Sequence, residues 1–159
     1  RCSKEAVREK GGLMNVRIGI CLGVLLFLVS CARPAVVEEY RLSDDRDSTG
    51  RFSFSLDMSD SAAVYDISFY TRFDCPANVF CAMEDLPVNL ELVSPSGCTY
   101  GETVYIPVSG FKSLKRGTYD SKVEYRTGLV PVEKGMWEMN IAIPERKGFQ
   151  GIGVINVIR

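Results

Sequence analysis

Six cysteines and no histidine set the chemistry open to this 159-residue chain. Three of the cysteines, Cys75, Cys81 and Cys98, lie beyond residue 31. Thiols can pair, bind a soft metal or act as nucleophiles, and their spacing helps to separate these uses. Cys75 and Cys81 enclose a short segment holding Pro76 and Asn78. A bridge between them would contribute roughly 2 kcal/mol by loop entropy. That bridge is the first expectation. Pairing with Cys98, or three reduced thiols packed as small hydrophobes, are the alternatives. Three cysteines without a histidine fall short of a tetrahedral zinc set, so no metal is expected.

The other reactive types are placed no better for catalysis. Asp44/Asp45 and Glu84/Asp85 are adjacent carboxylates. Neighbours on a strand point to opposite faces, whereas a glycosidase needs two carboxylates flanking one sugar. Asp44, Asp45 and Asp47 lack the spacing of a calcium loop. No nucleophile elbow or phosphate loop occurs, and histidine, the commonest general base, is missing. The expectation is a protein that is not an enzyme and carries no cofactor. Tyr70, Tyr100 and Tyr105 are candidate surface-binding residues, with Tyr119 and Tyr125 also read as facing outward. An exposed aromatic row could take a sugar or a protein partner; packing across strands is the alternative. Asp47-Ser48-Thr49 and Asp60-Ser61-Ala62 resemble a short O-glycosylation acceptor motif.

A different cysteine carries the clearest motif. Ile18–Val29 is an unbroken run of twelve apolar or glycine residues, preceded by Arg17. As a helix it would reach about 18 Å, short of a bilayer core of about 30 Å. A basic start, a short apolar stretch and a small residue before the cut describe a secretory signal peptide. Leu28-Val29-Ser30-Cys31 then resembles a bacterial lipobox, which makes Cys31 the expected lipid acceptor and new N-terminus. Stable anchoring needs more than one acyl chain, and a lipoprotein carries two or three. Residues 14–30 are therefore expected to be the signal peptide, with residues 1–13 an upstream extension. Ala32 after the cysteine favours the outer membrane, and the lack of an acidic run directly after Cys31 favours its periplasmic face.

Charge divides with these segments. Residues 1–31 hold five basic and two acidic side chains, leaving 14 basic and 18 acidic beyond them. A mildly acidic remainder argues against nucleic-acid binding.

Residues 31–50 read as a lipidated cysteine and tether, with Val36, Val37, Tyr40 and Leu42 a thin signal for a first strand. From Arg51 apolar residues alternate with polar ones: Phe52/Phe54/Leu56, Tyr65/Ile67/Phe69/Phe73, Leu86/Val88/Leu90/Leu92, Val104/Ile106/Val108 and Trp137/Met139/Ile141/Ile143. Period two indicates half-buried antiparallel strands. Ser94-Pro95-Ser96-Gly97 marks a turn. Lys112–Gly117 reads as a loop and Glu124–Val132 as a strand. Gly151–Ile158 is apolar on both faces except at Asn156, which indicates a central strand, with Gly151 and Gly153 allowing close backbone approach. The expected domain is one all-β antiparallel sandwich over 51–159, of seven to eight strands, Ig-like or jelly-roll-like.

These strands also carry a resemblance. Val64–Arg72, Leu86–Leu92 running into Ser94-Pro95-Ser96-Gly97, Glu102-Thr103-Val104, Gly135-Met136-Trp137 and Gly148–Val154 together resemble the GldH family of gliding-motility-associated lipoproteins. The likeness spans most of 52–158 in short motifs. The chain departs from it in the two cysteines of Asp74–Asp85 and in the finish Gly151-Ile152-Gly153-Val154. The resemblance implies a lipid-anchored component of a gliding or associated secretion machinery, with envelope protein partners and no catalytic residues. A glycan-binding sandwich lipoprotein is the alternative.

Overall fold

The computed structural model describes residues 34–159. The expected signal peptide and the expected lipid acceptor Cys31 lie outside the described residues. Nine strands form two antiparallel sheets. They are β1 (Ala35–Leu42), β2 (Arg51–Met58), β3 (Tyr65–Asp74), β4 (Leu86–Val93), β5 (Thr99–Ile106), β6 (Lys112–Lys115), β7 (Thr118–Leu129), β8 (Gly135–Ala142) and β9 (Phe149–Ile158). A five-residue helix, α1 (Ala77–Cys81), joins β3 to β4. Among the described residues, no helix is long and apolar enough to cross a membrane.

The five-stranded sheet runs β1-β9-β3-β7-β6 and the four-stranded sheet β2-β8-β4-β5. Successive strands change sheet at every connection except the β4–β5 and β6–β7 hairpins. This order is that of a jelly roll, with β6 as an added edge strand. The all-β sandwich is thus the observed fold. It has nine strands, against the seven to eight expected.

The alternation decides which faces meet. Phe52, Phe54, Leu56 and Met58 of β2 point inward, as do Ile67, Phe69 and Phe73 of β3, Val88 and Leu90 of β4, and Met139 and Ile141 of β8. Burying side chains of this size contributes about 1.5–3 kcal/mol each before entropy is counted. The end of the sandwich beside α1 is closed by aromatics. Phe80 stacks on Tyr119 at 3.8 Å, and Phe111, Phe73, Phe149 and Phe52 continue the cluster.

Three expectations need correction here. The tether ends earlier than residue 50, because β1 pairs along its whole length with β9. Glu38, Glu39 and Arg41 break its apolar pattern, so the strand is held by tertiary contacts. Tyr40 lies across β9, where a Cβ on Gly153 would stand 3.0 Å from its ring and one on Gly151 would stand 2.2 Å from the Arg41 carbonyl oxygen. The polar cluster that follows is a built turn: Asp47 Oδ1 accepts from the backbone N–H of Thr49 at 2.7 Å and of Arg51 at 2.9 Å. Second, Lys112–Gly117 contributes strand β6, and β7 starts at Thr118, six residues before the expected strand. Pairing with β3 overrides the polar sequence Asp120-Ser121-Lys122. Third, Cys75, Cys81 and Cys98 are all free. Cys75 packs into the core, whereas Cys81 ends α1 at the surface, so the expected Cys75–Cys81 bridge is not formed.

Candidate functional site

The end of the sandwich opposite α1 is left open. A cleft of about 250 Å³ lies there between the sheets. Its walls are Met58, Ile67, Leu92 and Trp137, and its lip is Tyr100 with the segment Val130-Pro131-Val132. The lip is unusually apolar for a surface loop: Val130 is 67% exposed and Val132 82%. Trp137 itself is buried, as its register with Met139 implies, and its indole N–H donates to the Glu133 carbonyl oxygen at 2.9 Å. The Tyr100 ring lies 6.0 Å from the indole.

A β-bulge builds the polar side of the cleft. Ile67 is opposite Arg126 and Ser68 is opposite Glu124, so Tyr125 is the extra residue on β7. In a regular strand Tyr125 and Arg126 would face opposite ways; the bulge brings both to Glu102 of β5. Tyr125 donates its hydroxyl to Glu102 Oε1, and Arg126 Nη2 donates to both carboxylate oxygens at 2.9 Å. The Arg126 guanidinium also lies 4.5 Å from the centre of the Tyr125 ring. Burial first, and then the bond to Glu102, hold the Tyr125 phenol well above its ordinary 10.0. The polar groups here are engaged with each other, and what faces the cleft is mainly hydrocarbon.

Glu133 fixes the loop that carries the lip. It accepts from the Ser96 hydroxyl at 2.8 Å and the Ser96 backbone N–H at 3.0 Å. The Ser96 hydroxyl bond is the chief reason its carboxyl sits below the usual glutamate value. The expected turn at Ser94–Gly97 and the lip are therefore joined.

The three candidate tyrosines do not converge. Tyr100 stands at the cleft lip. Tyr105 is odd-numbered on the same strand and points to the outer face of the four-stranded sheet, 63% exposed. Tyr70 lies on the outer face of the other sheet, with its ring 6.0 Å from Tyr40 and its hydroxyl 3.1 Å from Asp120 Oδ2. Tyr125, read as outward, is buried by the bulge, and Tyr119 is half-buried on Phe80. Sequence reasoning missed Glu102, Arg126 and the lip. The one available signal is Val130-Pro131-Val132, an apolar triplet around a proline, which lies beyond the end of β7 at Leu129.

Among the described residues, no group of three or more Cys, Asp or Glu side chains is placed to hold a metal. No protein-family model and no curated protein matches the chain.

Proposed function

We propose that this chain is a non-enzymatic cell-envelope lipoprotein, similar to the GldH class. In this reading it acts through protein–protein contacts in a gliding-motility or associated secretion machinery. Cys31 carries the lipid and holds the sandwich at the outer membrane, facing the periplasm. The observation that carries the contact role is the open cleft with its exposed valine lip. Exposed aliphatic surface in a loop costs solubility and is commonly a sign of a partner. Apolar side chains of another protein fit a pocket of this lining.

A glycan-binding role is the rival reading, favoured by the half-exposed Tyr100 ring beside Trp137 at the cleft mouth. Sugars need hydroxyl partners as well as a ring face. The Glu102 carboxylate already accepts from Tyr125 and Arg126, which favours a protein.

The test is affinity purification of the tagged full chain from solubilised envelope, compared with Val132→Asp. The expected result is recovery of motility or secretion components by the parent and their loss from the variant. Equal recovery from both would overturn the role of the cleft. Recovery of no envelope protein, together with a positive glycan array, would replace the reading with the rival.

A further inference from the structure

One side of the sandwich is clasped and the other is open. At the β5–β7 side, Glu102, Tyr125 and Arg126 join the sheets. At the β1–β2 side both strands are sheet edges, since β1 pairs only with β9 and β2 only with β8. A groove of about 150 Å³ runs there, from the gap between the sheets onto the outer face beside Met136. Val37, Phe54, Leu56, Val154 and Ile158 line it.

Three features distinguish this groove from an ordinary sheet edge. Val37 is on the inward face of β1, yet it is 53% exposed, because no strand of the opposite sheet covers it. Asn156 also lines the groove, only 3% exposed, and its Oδ1 has no hydrogen-bond partner. An unpaired amide oxygen at this depth is destabilising unless a donor reaches it, and no side chain among the described residues supplies one. The lips carry carboxylates, Asp57 on β2 and Glu39 on β1, the latter already paired with the Arg41 guanidinium. Hydrogen bonds from Ser59 hold the Asp57 carboxyl below its usual range, so Asp57 is anionic at neutral pH.

We infer that this groove receives an extended segment of a partner protein, added as a strand along the free edge of β2. The unpaired backbone of β2 supplies main-chain hydrogen bonds, which is how sheet edges recruit peptides. Alternate side chains of the incoming strand enter the gap and cover Val37, Leu56 and Ile158. One of them is a donor, from an amide, hydroxyl or amine, that meets Asn156 Oδ1. A basic residue flanks the apolar ones, opposite Asp57. A lipid chain would fill the same space and leave Asn156 unpaired, which is why a polypeptide is the better occupant.

The experiment places photoreactive benzoylphenylalanine at Val37 in the full chain, in its native host, and maps the crosslinked peptide by mass spectrometry. Val132, at the cleft, carries the same probe as a separate control. The expected product joins position 37 to one segment of a different protein, with apolar residues at alternate positions and Lys or Arg beside them. That mapped segment, made as a synthetic peptide, is expected to bind the parent chain roughly tenfold more tightly than Asn156→Leu, the worth of one buried hydrogen bond. Asn156→Leu is itself expected to melt higher, because it removes the orphan, so its weaker binding cannot be ascribed to unfolding. Crosslinks to a second copy, to residues 1–33 of the same chain, to lipid or to no single segment overturn the inference. Equal affinity of the variant overturns it as well. Because the Val132 probe reports the cleft independently, either proposal can fail without the other.

Discussion

Arg126 on β7 places one guanidinium nitrogen 2.9 Å from both carboxylate oxygens of Glu102 on β5, and so spans from one sheet to the other. The contact depends on the bulge at Tyr125, which turns two consecutive side chains toward the same acid. Its members are unequal. Arg126 is about half exposed, so its ion pair is solvent-screened; Tyr125 is buried and depends on Glu102 for its hydroxyl.

Arg126→Leu is therefore expected to cost under about 1 kcal/mol in urea unfolding. Glu102→Ala is expected to cost about 2 kcal/mol, because it leaves the buried Tyr125 hydroxyl unpaired. Tyr125→Phe should fall between them. Equal costs for Arg126→Leu and Glu102→Ala would show that the ion pair, and not the phenol, dominates.

Alkali tests the same contact. The Tyr125 phenol is raised by burial and then by Glu102, so the fold favours its protonated form. A raised group contributes stability that is complete below its unfolded value of 10.0 and lost as the pH rises above it. The urea midpoint should fall above about pH 10. Tyr125→Phe should show a shallower fall, and an unchanged slope would remove Tyr125 from the explanation.

Acid tests the lip. Hydrogen bonds from Ser96 hold Glu133 below its ordinary 4.5. A depressed group contributes stability above its unfolded value and loses it as the pH falls through the folded one. Trp137 donates to the Glu133 backbone, and it is the only tryptophan in the chain, so its fluorescence reports this loop. The emission should change on acidification below 4.5, and Glu133→Gln should show the acid-like emission already at neutral pH.

Thiol reactivity tests the unbridged cysteines. Burial, helped by the Asp74 charge, pushes the Cys75 thiol above its ordinary value. Cys81 and Cys98 are exposed. Under native conditions alkylation should mark Cys81 and Cys98 promptly, and Cys75 at least tenfold more slowly, until denaturant is added. A mass two hydrogens lower across the peptide pair Cys75 and Cys81 would instead establish the disulfide.

Much of the fold was legible because the side-chain period of a strand is two. Phe52/Phe54/Leu56, Leu86/Val88/Leu90 and Trp137/Met139/Ile141 name their own buried face without any knowledge of a partner. Gly151 and Gly153 likewise announced close approach, and the structure supplies the ring of Tyr40 that approaches. The proposal that Cys31 is a lipid acceptor rests on local sequence alone, on Leu28-Val29-Ser30-Cys31 and the apolar run before it. Other features depend on which strands become neighbours. Strand β1, with its charges interleaved, is stable only against β9. The jelly-roll order follows from the pairing of strands far apart in the chain, which period two cannot encode. The bulge at Tyr125 is a mismatch between β3 and β7, so neither sequence alone contains it. The orphaned oxygen of Asn156 follows from the same cause: it is a polar residue in a central strand, and only the layout of the opposite sheet leaves it facing an open groove.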